Sequence, residues 1–199
     1  MKPISVMIVE DQSMVLGALE ALLNLESDID VVATAQSAEE ALEKMAGLEL
    51  DILVTDIELP QRSGLELAQS VSQDMKVLML TTFARAGYLR RALDAGAKAY
   101  LLKDAPSAEL ADAIRRIHQG AIVIQPELAA QAWEIQDPLN DRERHILRMA
   151  GEGLSSANIA TQLGLSEGTV RNYLSEIISK LGVSNRIEAA RLARKKGLL

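Results

Sequence analysis

The stretch ILVTDIELPQRSG, residues 52–64, determines the fold predicted for the first part of this chain. Four residues suited to a buried strand lead directly into Asp56, and Pro60 and Gly64 follow in a predicted turn. A carboxylate at the end of an apolar strand is held rigidly, yet it stays open to a ligand beyond the edge of the sheet. The proline and the glycine are expected to shape the loop around it.

Strand and helix patterns alternate on both sides of this stretch. The strand-like runs are residues 4–9, 31–34, 52–55, 77–80 and 99–102. The helical patterns between them are residues 13–25, 37–47, 64–72, 86–95 and 106–119. Five strands that alternate with five helices predict a parallel, doubly wound α/β sheet, and mostly apolar strands indicate that helices cover both of its faces.

The pattern changes after residue 120. A helical pattern at 126–136 ends near the turn pair Asp137-Pro138, so residues 121–137 are predicted to form a linker that contains a helix. Beyond it, short helices are predicted at residues 141–151, 155–163, 166–181 and 184–196. Their expected N-caps are Ser155, Ser166 and Ser184, and two expected helix ends are Gly164 and Gly182. The predicted domains are therefore an α/β domain over 1–120 and an all-α domain over 138–199.

Composition and charge exclude several classes of protein. The 199 residues include no cysteine, so a disulfide framework is excluded. No apolar run approaches the ~20 residues of a membrane helix, and the apolar run at the N-terminus is too short for a signal peptide. A cytoplasmic protein without membrane insertion is predicted.

The net charge of −7 is distributed unevenly along the chain. Residues 1–125 have 11 basic and 19 acidic side chains, whereas residues 155–199 have 7 basic and 3 acidic ones. Two domains with different partners are therefore expected.

Polar side chains follow four of the predicted strands. They are Glu10 and Asp11 after the first strand, Asp56 after the third, Thr81 and Thr82 after the fourth, and Lys103 after the fifth. The carboxyl ends of parallel strands meet at one edge of such a sheet, so these side chains are expected to converge. Three carboxylates repel one another, and a hard divalent cation such as Mg²⁺ relieves that repulsion. A metal ion and an ammonium group would neutralise a phosphoryl group that a carboxylate accepts.

With Pro60 and Gly64, this set of residues resembles the receiver domain of two-component response regulators. The resemblance covers residues 1–120 and implies a flavodoxin-like fold. The resemblance implies that Asp56 accepts phosphate from a sensor histidine kinase. It also implies the ligands of a Mg²⁺ ion, which are the carboxylates of Glu10, Asp11 and Asp56 and the backbone carbonyl of Glu58.

The resemblance further implies how the state of the pocket is passed on. Thr81 is expected to move to the phosphoryl oxygen, Tyr100 to swing inward with it, and Lys103 to pair with the phosphate. Thr82 stands where a small alanine is common in the family. It is therefore expected to tune access to Asp56 or the rate of dephosphorylation.

The C-terminal helices carry a second predicted function. Two of them meet at Leu163-Gly164-Leu165, which is a helix–turn–helix spacing. The second of these has a polar face with three predicted base-reading residues, Arg171, Asn172 and Ser175. Arginine can read guanine, and asparagine adenine, in the major groove. Residues near the two ends of this helix are predicted to contact phosphates: Ser166, Thr169, Lys180, Asn185 and Arg186.

The segment LNDRERHILRMAGEGLSSANIATQLGLSEGTVRNYLSEIISKLGVSNRIEAA, within residues 139–197, resembles the DNA-binding domain of the LuxR/FixJ (NarL-type) family. This resemblance implies a transcriptional regulator, not an enzyme, whose partner is double-stranded promoter DNA; contact with RNA polymerase is a further expectation. Four segments, IVEDQSMVLGALEALLNLE, LTTFARAGY, AYLLKDAPS and GTVRNY, resemble a narrower branch. Regulators of that branch control a membrane-lipid desaturase gene together with a thermosensing membrane kinase.

The first helix has more apolar surface than one sheet face can cover. It is apolar almost all round, so its second face needs another cover. The neighbouring helix or the linker is one candidate cover. The preferred prediction is a homodimer face formed by Met14, Val15 and Ala18 of the first helix with Leu110, Ala113, Ile114 and Ile117 of the fifth. Two DNA-binding units would then meet two half-sites, and the family resemblance implies that phosphorylation promotes the dimer.

Three alternatives stay open on the sequence alone. One is a phosphorylation-independent transcription factor with a vestigial receiver, although the complete set of acids, threonine and lysine argues against decay. Another is an Asp-nucleophile phosphohydrolase, because Glu58 stands two residues after Asp56, at the spacing of a general acid. A DNA-binding tail argues against a hydrolase. The third is an interaction module without DNA binding, which predicts no salt-dependent binding of duplex DNA.

Overall fold

A computed structural model describes residues 2–71, 75–82, 85–124 and 137–199 of the protein. The described residues form two compact units, one built around the strands and one built from the C-terminal helices. In the ranges given, no helix is long and apolar enough to cross a membrane.

The first unit is a parallel sheet flanked by helices. Its strands are β1 (Ile4–Val9), β2 (Ile29–Ala35), β3 (Ile52–Asp56), β4 (Lys76–Thr81) and β5 (Ala99–Leu102). Its helices are α1 (Ser13–Leu23), α2 (Ala38–Met45), α3 (Gly64–Ser70), α4 (Ala86–Asp94) and α5 (Ser107–His118). Within the described part of the chain the strand order is β2-β1-β3-β4-β5, with parallel pairing throughout. This order confirms the predicted doubly wound, flavodoxin-like fold, and it makes β1 and β3 neighbours.

Burial along the strands follows their position in the sheet. Every residue of β1 and β3 is buried, as expected for central strands covered on both faces. The edge strand β2 alternates, and Asp30 and Val32 are exposed. The strand is longer than the predicted run at 31–34, because the exposed Asp30 interrupts the apolar pattern near its start.

The apolar stripe of α5 belongs to the core of this unit. Leu110, Ala113, Ile114 and Ile117 are at most 5% exposed and pack with β-strand residues in one hydrophobic cluster. Their spacing is that of a helix face on a sheet. The prediction that these four side chains form a dimer face is therefore corrected, because the fold of a single chain already covers them.

The chain after α5 pairs with the edge of the sheet. The Tyr100 N–H donates to the Val123 carbonyl at 3.1 Å, and the Val123 N–H donates to the Lys98 carbonyl at 2.8 Å. Val123 also packs against the hydrophobic core. The first residues of the predicted linker 121–137 thus belong to the sheet unit, whereas the predicted linker helix at 126–136 lies outside the described residues.

The second unit is helical, as predicted. Its helices are α6 (Asp141–Gly151), α7 (Ser156–Leu163), α8 (Glu167–Leu181) and α9 (Arg186–Lys196). Ser155 and Ser166 cap α7 and α8, and Gly164 and Gly182 end them with left-handed φ angles of 64° and 65°. One cap prediction is wrong. Asn185, not Ser184, caps α9, because its side-chain oxygen accepts the N–H groups of Ile187 and Glu188.

Helix α8 packs through one face only. Val170, Leu174 and Ile177 are buried with apolar residues of the other three helices. These positions recur every three or four residues, so the opposite face of the helix points to solvent. Fold and periodicity together leave a polar surface along the length of α8.

Candidate functional site

Three carboxylates converge at the carboxyl edge of the sheet. Glu10 and Asp11 follow β1, and Asp56 is the last residue of the neighbouring β3. One carboxylate oxygen from each of the three lies within 4.8 Å of the others. Glu10 and Asp56 are 1% and 6% exposed, whereas Asp11 is exposed. The structure therefore brings the predicted acidic cluster together on two adjacent strands.

The carboxylate of Asp56 is fixed by its own loop. Its Oδ1 accepts the Ile57 N–H at 2.6 Å and the Glu58 N–H at 3.3 Å. The Thr55 hydroxyl donates to the backbone carbonyl of Asp56 at 2.9 Å. These partners were not predicted from the sequence, although an acid directly before a turn is a signal for such backbone bonds. They hold Asp56 in one orientation.

Gly64 explains the shape of this loop. A Cβ on Gly64 would lie 1.8 Å from the carbonyl oxygen of Asp56, so only a residue without a side chain fits there. The Gly64 N–H donates to the Ile57 carbonyl at 3.0 Å. Ser63 caps α3 in a capping box with Glu66, which anchors the far end of the loop. The loop is thus packed directly against the backbone of Asp56.

Lys103 supplies the positive charge of the pocket. Its Nζ lies 2.6 Å from Glu10 Oε2 and 2.8 Å from Asp56 Oδ2. Burial would lower the pKa of Lys103, but the hydrogen bonds to Asp56 and Glu10 outweigh burial and raise it. Burial raises the pKa of Glu10 although Lys103 opposes the shift. Burial of the Glu10 carboxylate therefore has a larger effect on its pKa than the contact with Lys103.

The remaining predicted pocket residues occupy three different settings. Thr81 ends β4, is fully buried, and its carbonyl accepts the Lys103 N–H at 2.8 Å. Thr82 and Glu58 are exposed at the rim. Tyr100, in β5, is 1% exposed. The ring of Tyr100 is thus already inside the protein in this structure, whereas the family resemblance implied that it swings inward on phosphorylation.

The donor set of the pocket suits a hard divalent cation. Every side chain of the three-residue cluster offers carboxylate oxygen, the ligand that Mg²⁺ prefers, and one of them is open to solvent. A metal ion and Lys103 would both stand beside Asp56. Such a pocket can stabilise the negative oxygens of a phosphoryl group attached to the Asp56 carboxylate.

A second candidate site lies on helix α8. Arg171, Asn172 and Ser175 are exposed on the face opposite the core. Ser166 and Thr169, at the start of the helix, are bonded to each other: the Thr169 N–H donates to Ser166 Oγ at 3.0 Å, and their hydroxyl oxygens are 2.8 Å apart. The structure thus groups the predicted base-reading side chains on one surface of a capped helix.

The three predicted phosphate contacts near the other end of α8 have partners within the helical unit. Lys180 Nζ lies 2.6 Å from Oε1 of Glu143, a carboxylate that is only 1% exposed. This hydrogen bond raises the pKa of Lys180. Asn185 caps α9, and Arg186 donates to the Leu154 carbonyl at 3.3 Å. Lys180 and Arg186 therefore connect different parts of the helical unit, and Asn185 stabilises the start of its own helix. Residue type and spacing did not reveal these roles.

Comparison with known proteins identifies the family of each of the two units. Residues 6–115 match the family described as response regulator receiver domain, and residues 137–193 match the bacterial regulatory proteins of the luxR family. Two transcriptional regulatory proteins of Bacillus subtilis (strain 168) are similar over 98% of both chains: DesR is 45% identical over 195 residues, and YvfU is 49% identical over 197. The crystal structure of the response regulator ChrA, from a heme-sensing two-component system, is 34% identical with a TM-score of 0.55 and is covered completely. The chain therefore belongs to the two-component response regulators that join a receiver domain to a LuxR-type helix–turn–helix DNA-binding domain.

Proposed function

We propose that this protein is a phosphorylation-activated transcriptional regulator in which Asp56 accepts a phosphoryl group from a sensor histidine kinase. The observation that carries the proposal is the environment of Asp56. Its carboxylate is fixed by two backbone amides and by Lys103, and it lies beside Glu10 and Asp11. This arrangement positions an oxygen nucleophile and surrounds it with the charges that phosphoryl transfer requires.

The chemical step is a transfer between two side chains. A carboxylate oxygen of Asp56 attacks the phosphorus of a phosphohistidine, the phosphorus–nitrogen bond breaks, and the imidazole leaves with the electron pair of that bond. Glu10, Asp11, Asp56 and the Glu58 carbonyl would hold a Mg²⁺ ion, which neutralises phosphoryl oxygens when it is bound. Lys103 exchanges its contact with the Asp56 carboxylate for a contact with a phosphoryl oxygen.

The phosphorylated state is passed on through β4 and β5. Thr81 directs its hydroxyl to the phosphoryl oxygen, and Tyr100 repacks in the space that this movement changes. Thr82, exposed at the rim, controls access to the acyl phosphate. Two contacts support this route: the Lys103 N–H is bonded to the Thr81 carbonyl, and the Tyr100 N–H is bonded to Val123, where the chain leaves the sheet. A shift of β5 therefore reaches the linker directly.

The output of the receiver is a homodimer formed through α1. Met14 is 87% exposed and Ala18 is exposed, which leaves an apolar surface on that helix. Val15, Leu19 and Leu22 also line a cavity of about 120 Å³ whose other wall includes Leu102 and Ala105. Phosphorylation reshapes this wall through β5 and so favours dimerisation.

The dimer brings two copies of α8 to promoter DNA. Arg171, Asn172 and Ser175 would face base edges in the major groove, and Ser166 and Thr169 would lie near phosphates at the start of the helix. The receiver would span residues 1–120, the linker residues 121–137, and the DNA-binding domain residues 138–199. The regulator would act in the cytoplasm and contact RNA polymerase at its promoter. The sequence resemblance further suggests a membrane-lipid desaturase gene as its target.

Phosphorylation at Asp56 is tested first with a small phosphodonor. Full-length protein is incubated with acetyl phosphate and Mg²⁺, and its intact mass is measured; Asp56→Asn is the matched control. The proposal predicts the gain of one phosphoryl group by the wild type and none by the variant. Labelling of both proteins, or of neither, would contradict it. Steady turnover of generic phosphate esters would instead favour the phosphohydrolase.

A further inference from the structure

An acidic side chain occupies the first position of the helix that is proposed to enter DNA. Glu167 begins α8, and its Oε1 accepts a hydrogen bond from Arg171 Nη2 at 2.6 Å. The two side chains are 44% and 69% exposed. A carboxylate at this position faces a polyanion when the start of a recognition helix approaches the major groove. The carboxylate of Glu167 therefore opposes DNA binding by its charge, and its presence at this position needs a separate explanation.

Helix stability alone is a weak explanation for this pair. An acid in the first turn and an exposed i,i+4 ion pair each stabilise a helix only slightly. The same helix carries a second i,i+4 pair, Glu176 with Lys180 at 3.4 Å. Lys180 is also anchored to the buried Glu143. The two pairs thus differ in setting: one stands beside the predicted base-reading residues, and the other is tied to the core of the unit.

We infer that Glu167 is a specificity-determining residue that positions Arg171, an inference that rests on the DNA-binding function proposed above. A guanidinium has five N–H donors, so Arg171 can keep one bond to Glu167 and still present others to a guanine edge. Held in this way, the guanidinium loses less conformational freedom when it meets its base.

The same carboxylate penalises non-specific complexes. Binding to an unselected sequence depends mainly on phosphate contacts, and a negative charge beside Arg171 weakens those contacts. Glu167 therefore strengthens binding to the correct site and weakens binding to other sequences. Both effects increase the difference between the two affinities.

The inference is tested by measuring specificity. A duplex is selected from a random pool by the wild-type protein, and its affinity is compared with that of a scrambled duplex at one salt concentration. Wild type, Glu167→Gln and Glu176→Gln are all activated with beryllofluoride and Mg²⁺. The two variants lose the same charge from the same helix.

Glu167→Gln should reduce the affinity ratio between the selected and the scrambled duplex by roughly tenfold, mostly through tighter binding of the scrambled duplex. Glu176→Gln should leave the ratio within about twofold of the wild-type value. An unchanged ratio in Glu167→Gln, or an equal fall in both variants, would overturn the inference. If the wild type selects no sequence from the pool, the proposed function itself fails and takes the inference with it.

Discussion

The pocket around Asp56 and the exposed face of α8 are built in opposite ways. The pocket takes side chains from the ends of β1, β3, β4 and β5. Glu10, Asp56 and Thr81 are buried, and Lys103 bridges Glu10 and Asp56. The face of α8 takes its side chains from a single helix, and they point to solvent. Substitutions in the pocket should therefore disturb structure and function together, whereas substitutions on α8 should disturb binding alone.

The largest effect is expected from Gly64→Ala. The new methyl group would overlap the carbonyl oxygen of Asp56 at 1.8 Å, so the loop must move away from the phosphoacceptor. The free energy of unfolding of the receiver should fall by about 3 kcal/mol, and phosphorylation by acetyl phosphate should be slowed. Urea unfolding of the full-length protein measures the first effect, and intact mass the second.

Gly17→Ala is the matched control for that substitution. Gly17 lies in α1, and nothing beyond the backbone of its own helix stands within 4 Å of the place that a methyl group would take. The change should therefore stabilise the helix by about 0.5–1 kcal/mol. Equal stability of the Gly64 and Gly17 variants would show that the loop is not packed against Asp56 as described.

On α8, Arg171→Ala should act on DNA binding without affecting stability. The side chain is 69% exposed, so the free energy of unfolding should change by less than about 0.5 kcal/mol. Affinity for a selected duplex should fall by about 1–3 kcal/mol, which binding titrations at fixed salt would measure. Lys180→Met is the contrasting variant, since it leaves the buried Glu143 carboxylate without its cation and should lower the melting temperature. An equal loss of stability in both variants would remove the distinction between the exposed face and the core of this unit.

Lys103→Gln tests whether the ammonium and a metal ion compete for the same carboxylates. Lys103 bridges Glu10 and Asp56, so its neutralisation leaves the acidic cluster with less compensating charge. Mg²⁺ should bind about tenfold more tightly, equivalent to ~1.4 kcal/mol, and should raise the melting temperature of the variant more than that of the wild type. Calorimetric titration gives the affinity directly. Weaker Mg²⁺ binding would mean that Lys103 supports the metal site instead of competing with it.

The smallest effect concerns an acid at the other end of β3. Burial would raise the pKa of Asp51, but two hydrogen bonds from Ser5 outweigh it, and the pKa is lowered from 3.8. The stability that this acid contributes is therefore present above the unfolded pKa and is lost as the pH falls through the lower, folded pKa. The difference in urea midpoint between wild type and Asp51→Asn should shrink below about pH 4. A constant difference would exclude this contribution. The shift is opposite for Glu10 in the pocket, whose pKa is raised by burial.

The sequence predicted the parts of the molecule that depend on local pattern. Alternating strands and helices indicated the sheet, and acids at strand ends predicted the cluster of Glu10, Asp11 and Asp56, because strand direction places them at one edge. The periodicity of α8 likewise predicted which side chains are exposed. In each case the signal lies in residue spacing along one element or in the order of elements.

Features that depend on tertiary contact were not predictable in the same way. The apolar stripe of α5 has the same spacing whether it faces a partner or a sheet, so Ile114 and Ile117 were assigned to a dimer face although the core covers them. Lys180 has the positive charge expected of a residue that contacts a phosphate, and only its distance to Glu143 revealed its structural partner. The pairing of Val123 with β5 involves too few residues to leave a pattern.

The proposed function requires that the state of Asp56 controls DNA binding. We would therefore measure the affinity of full-length protein for a duplex selected by the wild type, with and without beryllofluoride and Mg²⁺, for wild type and Asp56→Asn. The phosphoryl mimic should tighten wild-type binding by about 5- to 150-fold and leave the binding of the variant unchanged. Equal binding by both proteins in both conditions would contradict it and would identify a regulator whose DNA binding does not depend on phosphorylation.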